Sequence, residues 1–393
     1  MASNHILILG GPLPVVMPIY GTRPEAIKMA PIVAALKASE TLDCVVTVTG
    51  QHREMLDQVN LLFDIVPDHD LKILKHGQSL SRIMSKTIKR LDELFATNAP
   101  DAVVVQGDTT TSTAAAIAAF YRGIPVVHAE AGLRSHNLFS PFPEEANRKI
   151  TTQIASLHLA PTSTSKQNLL DEGVAEADIV VTGNTVIDAL LTTVDKKVPF
   201  SNPALEALDA SGRQILLVTT HRRENQGDAM RGVGRALASI ADVYPDMVIV
   251  LPAHKNPVVR EAILPSLKGK ANVMVTEPLA YGEFTRLISM AHIVLTDSGG
   301  VQEEAPSLGK PVLVMRDNTE RPEAVDAGTV KLIGTDEDVI LSEVNQLMQH
   351  TEYYSAMALA VNPYGDGKAA ARTVAAIEDL LGIGSTIVEF TTE

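Results

Sequence analysis

Thr296 to Pro311 reads TDSGGVQEEAPSLGKP, and this stretch decides the fold. The run leading into it, Ala291 to Thr296 (AHIVLT), is short and almost wholly apolar, the pattern of a strand buried on both faces of a parallel sheet. Ser298-Gly299-Gly300 then permits a sharp turn into a helix whose first N–H groups are open to an anion. Glu304 follows near the first turn, where a carboxylate can accept both hydroxyls of a ribose, although the helix dipole alone also favours an acid there. No G-x-G-x-x-G spacing occurs in this stretch, and the chain has no G-x-x-x-x-G-K-[ST] loop. The socket is built without either glycine signature.

The same alternation of short apolar runs and longer helical patterns extends in both directions. Val15–Tyr20, Val45–Thr49, Ala102–Gln106, Pro125–Ala129, Leu157–Ala160 and Ile179–Thr182 precede a strandless stretch, Leu191 to Arg213. Ile215–Thr220, Met247–Leu251, Val273–Thr276, Ile293–Thr296 and Val312–Met315 follow it. Helical patterns with one apolar face lie between them, including 24–39, 80–95, 111–121 and 227–243. This rhythm predicts α/β architecture with parallel sheets covered on both faces. A chain of 393 residues exceeds what one core sustains, so two domains are expected: 1–195 with the acids and 196–365 with the socket. A C-terminal helix in 366–393 is expected to pack back on the first domain.

Net charge −14 argues against a nucleic-acid or anionic-membrane surface, so any phosphate must be met by individual cations. A single cysteine, Cys44, excludes an intramolecular disulfide framework, and its apolar surroundings read as core packing. The apolar N-terminus lacks a basic leader and is broken by Gly10, Gly11, Pro12 and Pro14, so it reads as a strand rather than a targeting segment. No run reaches the ~18 to 20 apolar residues of a transmembrane helix. A cytoplasmic protein is expected.

In open α/β sheets ligands bind beyond the carboxyl ends of the strands. Asp108, Glu130, His221, His254, Ser298, Arg316 and Arg321 all fall there. In GTRPE, Pro24 suits the first helical turn, and Arg23 and Lys28 can face an anion, while the plainer reading pairs Arg23 with Glu25 or solvent. Asp108 in QGDTTTS either caps a helix or acts as an acid or base. Glu130 in HAEAGLRS, and Glu144, Glu145 and Arg148 in SPFPEEANR, add acids that can split one another's pKa values. THRREN brings His221, Arg222 and Arg223 to a strand end for phosphate contact. HExxH, CxxC and paired-aspartate signatures are missing, so no metal is expected.

Taken in order, GTRPEAIKMAP, QHREMLDQV, GDTTT, AEAGLRS, PFPEEANR, TGNTVIDAL, HRREN, LTDSGGVQEEAPSLGKPVLVMRD, TERPEA and NPYGDG resemble the bacterial non-hydrolysing UDP-N-acetylglucosamine 2-epimerases, collinearly from about Tyr20 to Gly367. The resemblance implies a GT-B-type fold, two Rossmann-like domains whose parallel sheets face a deep interdomain cleft, assembled as a homodimer without a cofactor. It implies reversible conversion of UDP-GlcNAc to UDP-ManNAc through 2-acetamidoglucal and UDP, supplying cell-envelope polysaccharide. Asp108, Glu130 and Glu144 match the acid/base set, and His221 matches the residue facing the departing UDP. Arg23, Lys28, Ser298, Gly299, Gly300, Glu304 and Arg321 match nucleotide-holding positions, and Phe284 one beside the uracil. Gln51, His52, Arg222 and His254 match a regulatory UDP-GlcNAc region, where Glu54 and Gly77 depart from some relatives.

A GT-B glycosyltransferase is the nearest rival, but its retaining members often pair two acids eight positions apart. Leu295 and Thr296 stand eight before Glu303 and Glu304. A hydrolysing epimerase and a non-catalytic nucleotide-sugar sensor complete the alternatives.

Overall fold

A computed structural model describes residues 11–50, 53–73, 77–222, 225, 227–384 and 387–392. The chain forms two compact units, 1–185 together with 368–391, and 186–367. The expected strand in the first ten residues lies outside the described residues, as do Gln51, His52 and Arg223.

In the first unit the strands are β1 (Val15–Tyr20), β2 (Asp43–Cys44), β3 (Thr47–Val48), β4 (His69–Asp70), β5 (Ala102–Gln106), β6 (Val126–Ala129), β7 (Leu157–Ala160) and β8 (Ile179–Val181). They pair in the order β4-β3-β1-β5-β6-β7-β8, with β2 also on β1, and every pairing is parallel. β5 and β7 are buried along their whole length, which is why they read as apolar runs. Met17, Ile19, Val103 and Val105 join Leu91 and Phe95 of the helix Leu80–Phe95 and the alanines of Thr110–Tyr121 in one core cluster. The helix Ala369–Leu380 packs against Arg23–Lys37 in this unit.

The second unit contains β9 (Ile215–Thr219), β10 (Val248–Pro252), β11 (Val273–Thr276), β12 (Ile293–Thr296), β13 (Val312–Val314) and β14 (Val330–Leu332). Their order is β11-β10-β9-β12-β13-β14, again parallel. This is the doubly wound Rossmann order, in which the chain reverses direction between the first and fourth strands of the unit. The reversal falls between β9 and β12 here, and between β1 and β5 in the first unit.

Sequence periodicity misses three strands; one is β2, the pair Asp43–Cys44 just before the predicted run Val45–Thr49. β4 is only the half-buried pair His69–Asp70 at a sheet edge, and β14 is three residues with an exposed Lys331 at its centre. Neither is long enough to show a pattern. Among the described residues no helix is long and apolar enough to cross a membrane.

Candidate active site

The turn after β1 begins with Gly21, where an added Cβ would lie 2.0 Å from the Thr49 hydroxyl and 3.2 Å from that of Thr111. Only glycine lets this turn sit against the end of β3 and the helix after β5. Thr22 is the N-cap of the helix Arg23–Lys37. Glu25, at the third helical position, is buried at 2% exposure, and its Oε2 accepts the N–H groups of Gly21 (3.1 Å) and Thr22 (2.7 Å). Arg23 projects exposed from the first helical position, and the Glu25 carboxylate takes the N–H groups of the turn rather than Arg23.

One turn further along that helix, Lys28 pairs with the carboxylate of Glu130. Glu130 follows β6 with φ +60°, a left-handed backbone that costs a non-glycine residue energy and signals a functional constraint. Gln106 Nε2 and Asn184 Nδ2 also donate to it, at 2.7 and 3.1 Å. Three donors from three segments therefore hold one strained carboxylate.

Asp108 follows β5 and does not cap the helix after it. The cap of the helix Thr110–Tyr121 is Thr109, whose hydroxyl accepts from Ser112 N–H at 3.1 Å. The Asp108 carboxylate is left to Arg148, 2.5 Å away, while Asn147 donates to its carbonyl at 2.9 Å. Both partners come from the helix Glu144–Ile154. Glu145 on that helix is fully buried; burial pushes its carboxyl up, but the Ser135 N–H and the Arg148 guanidinium outweigh this and leave it below the usual range. Its neighbour Glu144 is half-exposed and has no hydrogen-bond or ion-pair partner among the described residues. Asp108, Glu130 and the Glu144 helix are thus linked within one unit through Gln106, Asn147 and Arg148.

Beneath this set, His128 on β6 stands in register with His158 on β7. Its Nε2 lies 2.8 Å from the Gly107 carbonyl, so it carries the proton and donates. Burial pushes both imidazoles down to about 4.

At the second unit's reversal, Asp297 is wholly buried and gathers the turn after β9. It accepts from the Thr220 hydroxyl (2.8 Å) and from the N–H groups of His221 (3.0 Å) and Arg222 (3.0 Å). His221 Nδ1 is 3.2 Å from Oδ1, which presents the opposite ring nitrogen outward from a half-exposed side chain. Burial raises the Asp297 carboxyl, yet the hydrogen bonds from His221, Arg222 and Thr220 more than offset it and hold the group ionised. The His254 ring lies 5.9 Å from that of His221, and Arg222 reaches Glu320 at 3.7 Å.

Ser298 caps the short helix Gly299–Glu304, and no acceptor among the described residues meets the N–H of Gly299 or Gly300. The Arg321 guanidinium lies over this start: a Cβ on Gly299 would meet its Cζ at 3.2 Å. Glu303 fixes Arg321 at 2.7 Å. Glu304 accepts from the Tyr281 hydroxyl at 3.0 Å, and Phe284, half-buried, stands three residues along the same helix face. Sequence reasoning missed Glu25, Asp297, Glu303 and Tyr281 as site residues. Their only local signal was a carboxylate or phenol beside a strand-end turn.

Two units, each built on a parallel sheet that reverses between its first strand and a later one, give a GT-B-type fold. Residues 34–378 match the model of the UDP-N-acetylglucosamine 2-epimerase family. The chain is 51% identical over 370 residues to the UDP-N-acetylglucosamine 2-epimerase of Escherichia coli K12, covering 93% of this chain and 98% of that one. It is 52% identical over 366 residues to the Bacillus subtilis protein of the same name, covering 93% and 94%. The crystal structure of the Neisseria meningitidis UDP-GlcNAc 2-epimerase bound to UDP-GlcNAc superposes with a TM-score of 0.80 at 48% identity, covering 94% of this chain and 100% of that one. The chain belongs to the UDP-N-acetylglucosamine 2-epimerase family.

Proposed function

We propose that this protein is a non-hydrolysing isomerase that interconverts UDP-GlcNAc and UDP-ManNAc. The observation that carries the reading is the linked set Asp108, Glu130 and Glu144 in a unit whose companion offers an open anion socket. Epimerisation at C2 by elimination removes the C2 proton and breaks the anomeric C–O bond, giving 2-acetamidoglucal and UDP. UDP then adds back while a proton arrives on the opposite face of C2. Two proton-transfer groups are needed, and the carboxylate set supplies them. His221, oriented by Asp297, faces the leaving diphosphate and stabilises its charge.

Ser298, Gly299, Gly300 and Arg321 take the diphosphate, Glu304 the ribose and Phe284 the uracil, with Arg23 and Lys28 as further cations for the nucleotide. Lys28 serves while paired with Glu130. The reading gives the acids to the first unit and the diphosphate socket to the second. It places the enzyme in the cytoplasm as a homodimer that supplies ManNAc units for surface polysaccharide. A glycosyltransferase would need an acceptor, and a hydrolysing enzyme would release free ManNAc.

The test is to incubate the pure protein with UDP-GlcNAc in D2O, without added cofactor, and follow products by NMR. UDP-ManNAc carrying deuterium at C2 is expected. Free ManNAc, or product retaining its original C2 hydrogen, would overturn the reading. Regulation by a second UDP-GlcNAc at Gln51, His52, Arg222 and His254 is read from the same initial rates: a lag from pure UDP-ManNAc, removed by trace UDP-GlcNAc, is its signature.

A further inference from the structure

Resting on that reading, we propose that Glu25 is a positioning residue for Asp108, an internal anion that locks the turn after β1 to the turn after β5. Four donors converge on its carboxylate. Oε2 accepts the N–H groups of Gly21 and Thr22, while Oε1 accepts the hydroxyls of Thr109 (2.7 Å) and Ser112 (2.8 Å). No cationic side chain among the described residues forms an ion pair with it, and it is almost fully buried. A buried charge without a counter-ion is costly unless oriented dipoles replace the lost water. Two helices supply them: Arg23–Lys37 and Thr110–Tyr121, of 15 and 12 residues, both begin at groups that donate to Glu25.

The consequence falls on Asp108. Three successive residues of its turn are each fixed by a different element. His128 of β6 holds the Gly107 carbonyl, Asn147 holds the Asp108 carbonyl, and Glu25 holds the Thr109 side chain. The Thr109 hydroxyl donates to Glu25 while accepting from Ser112 N–H, so the tie and the helix cap share one oxygen. The Ser112 hydroxyl has one proton for two acceptors, Glu25 and the Gln106 carbonyl at 2.6 Å, and it extends the tie back into β5. Without Glu25, Asp108 keeps Arg148 but loses the anchor on its helix side. Its carboxylate then drifts relative to Glu130, whose own position is set through Gln106 on the same strand.

The experiment compares Glu25→Leu and Glu25→Gln with the wild type and, from the other end of the tie, Thr109→Val with Ser112→Ala. Misplacing a reacting group by about 1 Å costs up to roughly 10²-fold, so E25L should lose about 10- to 100-fold in kcat while KM for UDP-GlcNAc stays within about threefold. E25Q should recover most of the rate, because an amide oxygen still accepts from the turn and its NH2 can donate to the two hydroxyl oxygens. Should E25L fail to fold, the T109V/S112A protein decides, and it should show the same kcat loss. Combined with E25L, that double change should add little further loss, as expected of one shared interaction. A folded E25L, or T109V/S112A, with kcat within twofold of wild type overturns the proposal, as does a loss confined to KM. Asp108→Asn separates the layers: full turnover in D108N sinks the acid/base reading itself, whereas an inactive D108N beside a fully active E25L sinks only the role of Glu25.

Discussion

Both reversal points carry a buried carboxylate that ties two strand-end turns together, but the ties run in opposite directions. In the first unit Glu25 belongs to the turn after β1 and reaches to Thr109 and Ser112 after β5. In the second, Asp297 ends β12 and reaches back to Thr220, His221 and Arg222 after β9. The difference decides which backbone N–H groups remain. Gly21 and Thr22 spend theirs on Glu25, whereas Gly299 and Gly300 keep theirs. One doubly wound topology is thereby used twice: the first unit satisfies the N–H groups of its turn from within, and the second leaves those of Gly299 and Gly300 without an acceptor among the described residues.

The largest expected effect breaks the acid side of this comparison. Asp108→Asn, Glu130→Gln and Glu144→Gln should each lower kcat by ~10² to 10⁴ while UDP affinity, measured by calorimetry, changes little. Equal losses of UDP affinity would mean that the first unit also binds the diphosphate.

Next comes Asp297→Ala, which removes the acceptor of the Thr220 hydroxyl, the His221 and Arg222 N–H groups and Asn225 Nδ2 at the turn after β9 and lets His221 choose either ring tautomer. Orphaned donors cost about 1 to 3 kcal/mol each. Urea unfolding should show the transition of the second unit moving to lower denaturant while that of the first stays in place.

Arg321→Ala and Glu304→Ala sharpen the socket side. Hydrogen bonds to charged groups contribute about 1.5 to 3 kcal/mol, so UDP should bind roughly ten- to a hundredfold more weakly in each variant. Unchanged affinity in both would move the nucleotide elsewhere.

The smallest effect distinguishes the units by pH. His128 and His158 are held near 4 by burial, below the ~6.5 of an unfolded imidazole. Between those values the unfolded chain binds more protons than the folded one, so their contribution is complete above pH 6.5 and is lost as pH falls toward 4. Melting followed from pH 7.5 to 4.5 should show a decline that is shallower in His158→Gln than in the wild type.

Much of this architecture was legible because a strand buried on both faces must be apolar along its length. Val15–Tyr20, Ala102–Gln106 and Ile293–Thr296 satisfy that condition without help from their neighbours. Asp108, Glu130 and His221 were legible for a related reason: polar residues directly after such strands have a fixed place at the ligand-binding edge. Where glycine is required was less legible: Gly299 and Gly300 open their helix without a positive φ, and a Cβ on Gly300 would meet nothing within 4 Å.

Tertiary structure alone decided how the acids are paired. Lys28 meets Glu130 across 102 positions, Arg148 meets Asp108 across 40, and Glu25 meets Ser112 across 87. Local pattern cannot register such contacts, because each depends on which strands become neighbours in the sheet, and β1 pairs with β5 only after the chain has passed through β2, β3 and β4. The same holds for the choice of cap. Asp108 and Thr109 are both competent N-cap residues by type, and the guanidinium of Arg148, delivered by a helix three dozen residues downstream, takes the aspartate carboxylate and leaves the threonine to close the helix.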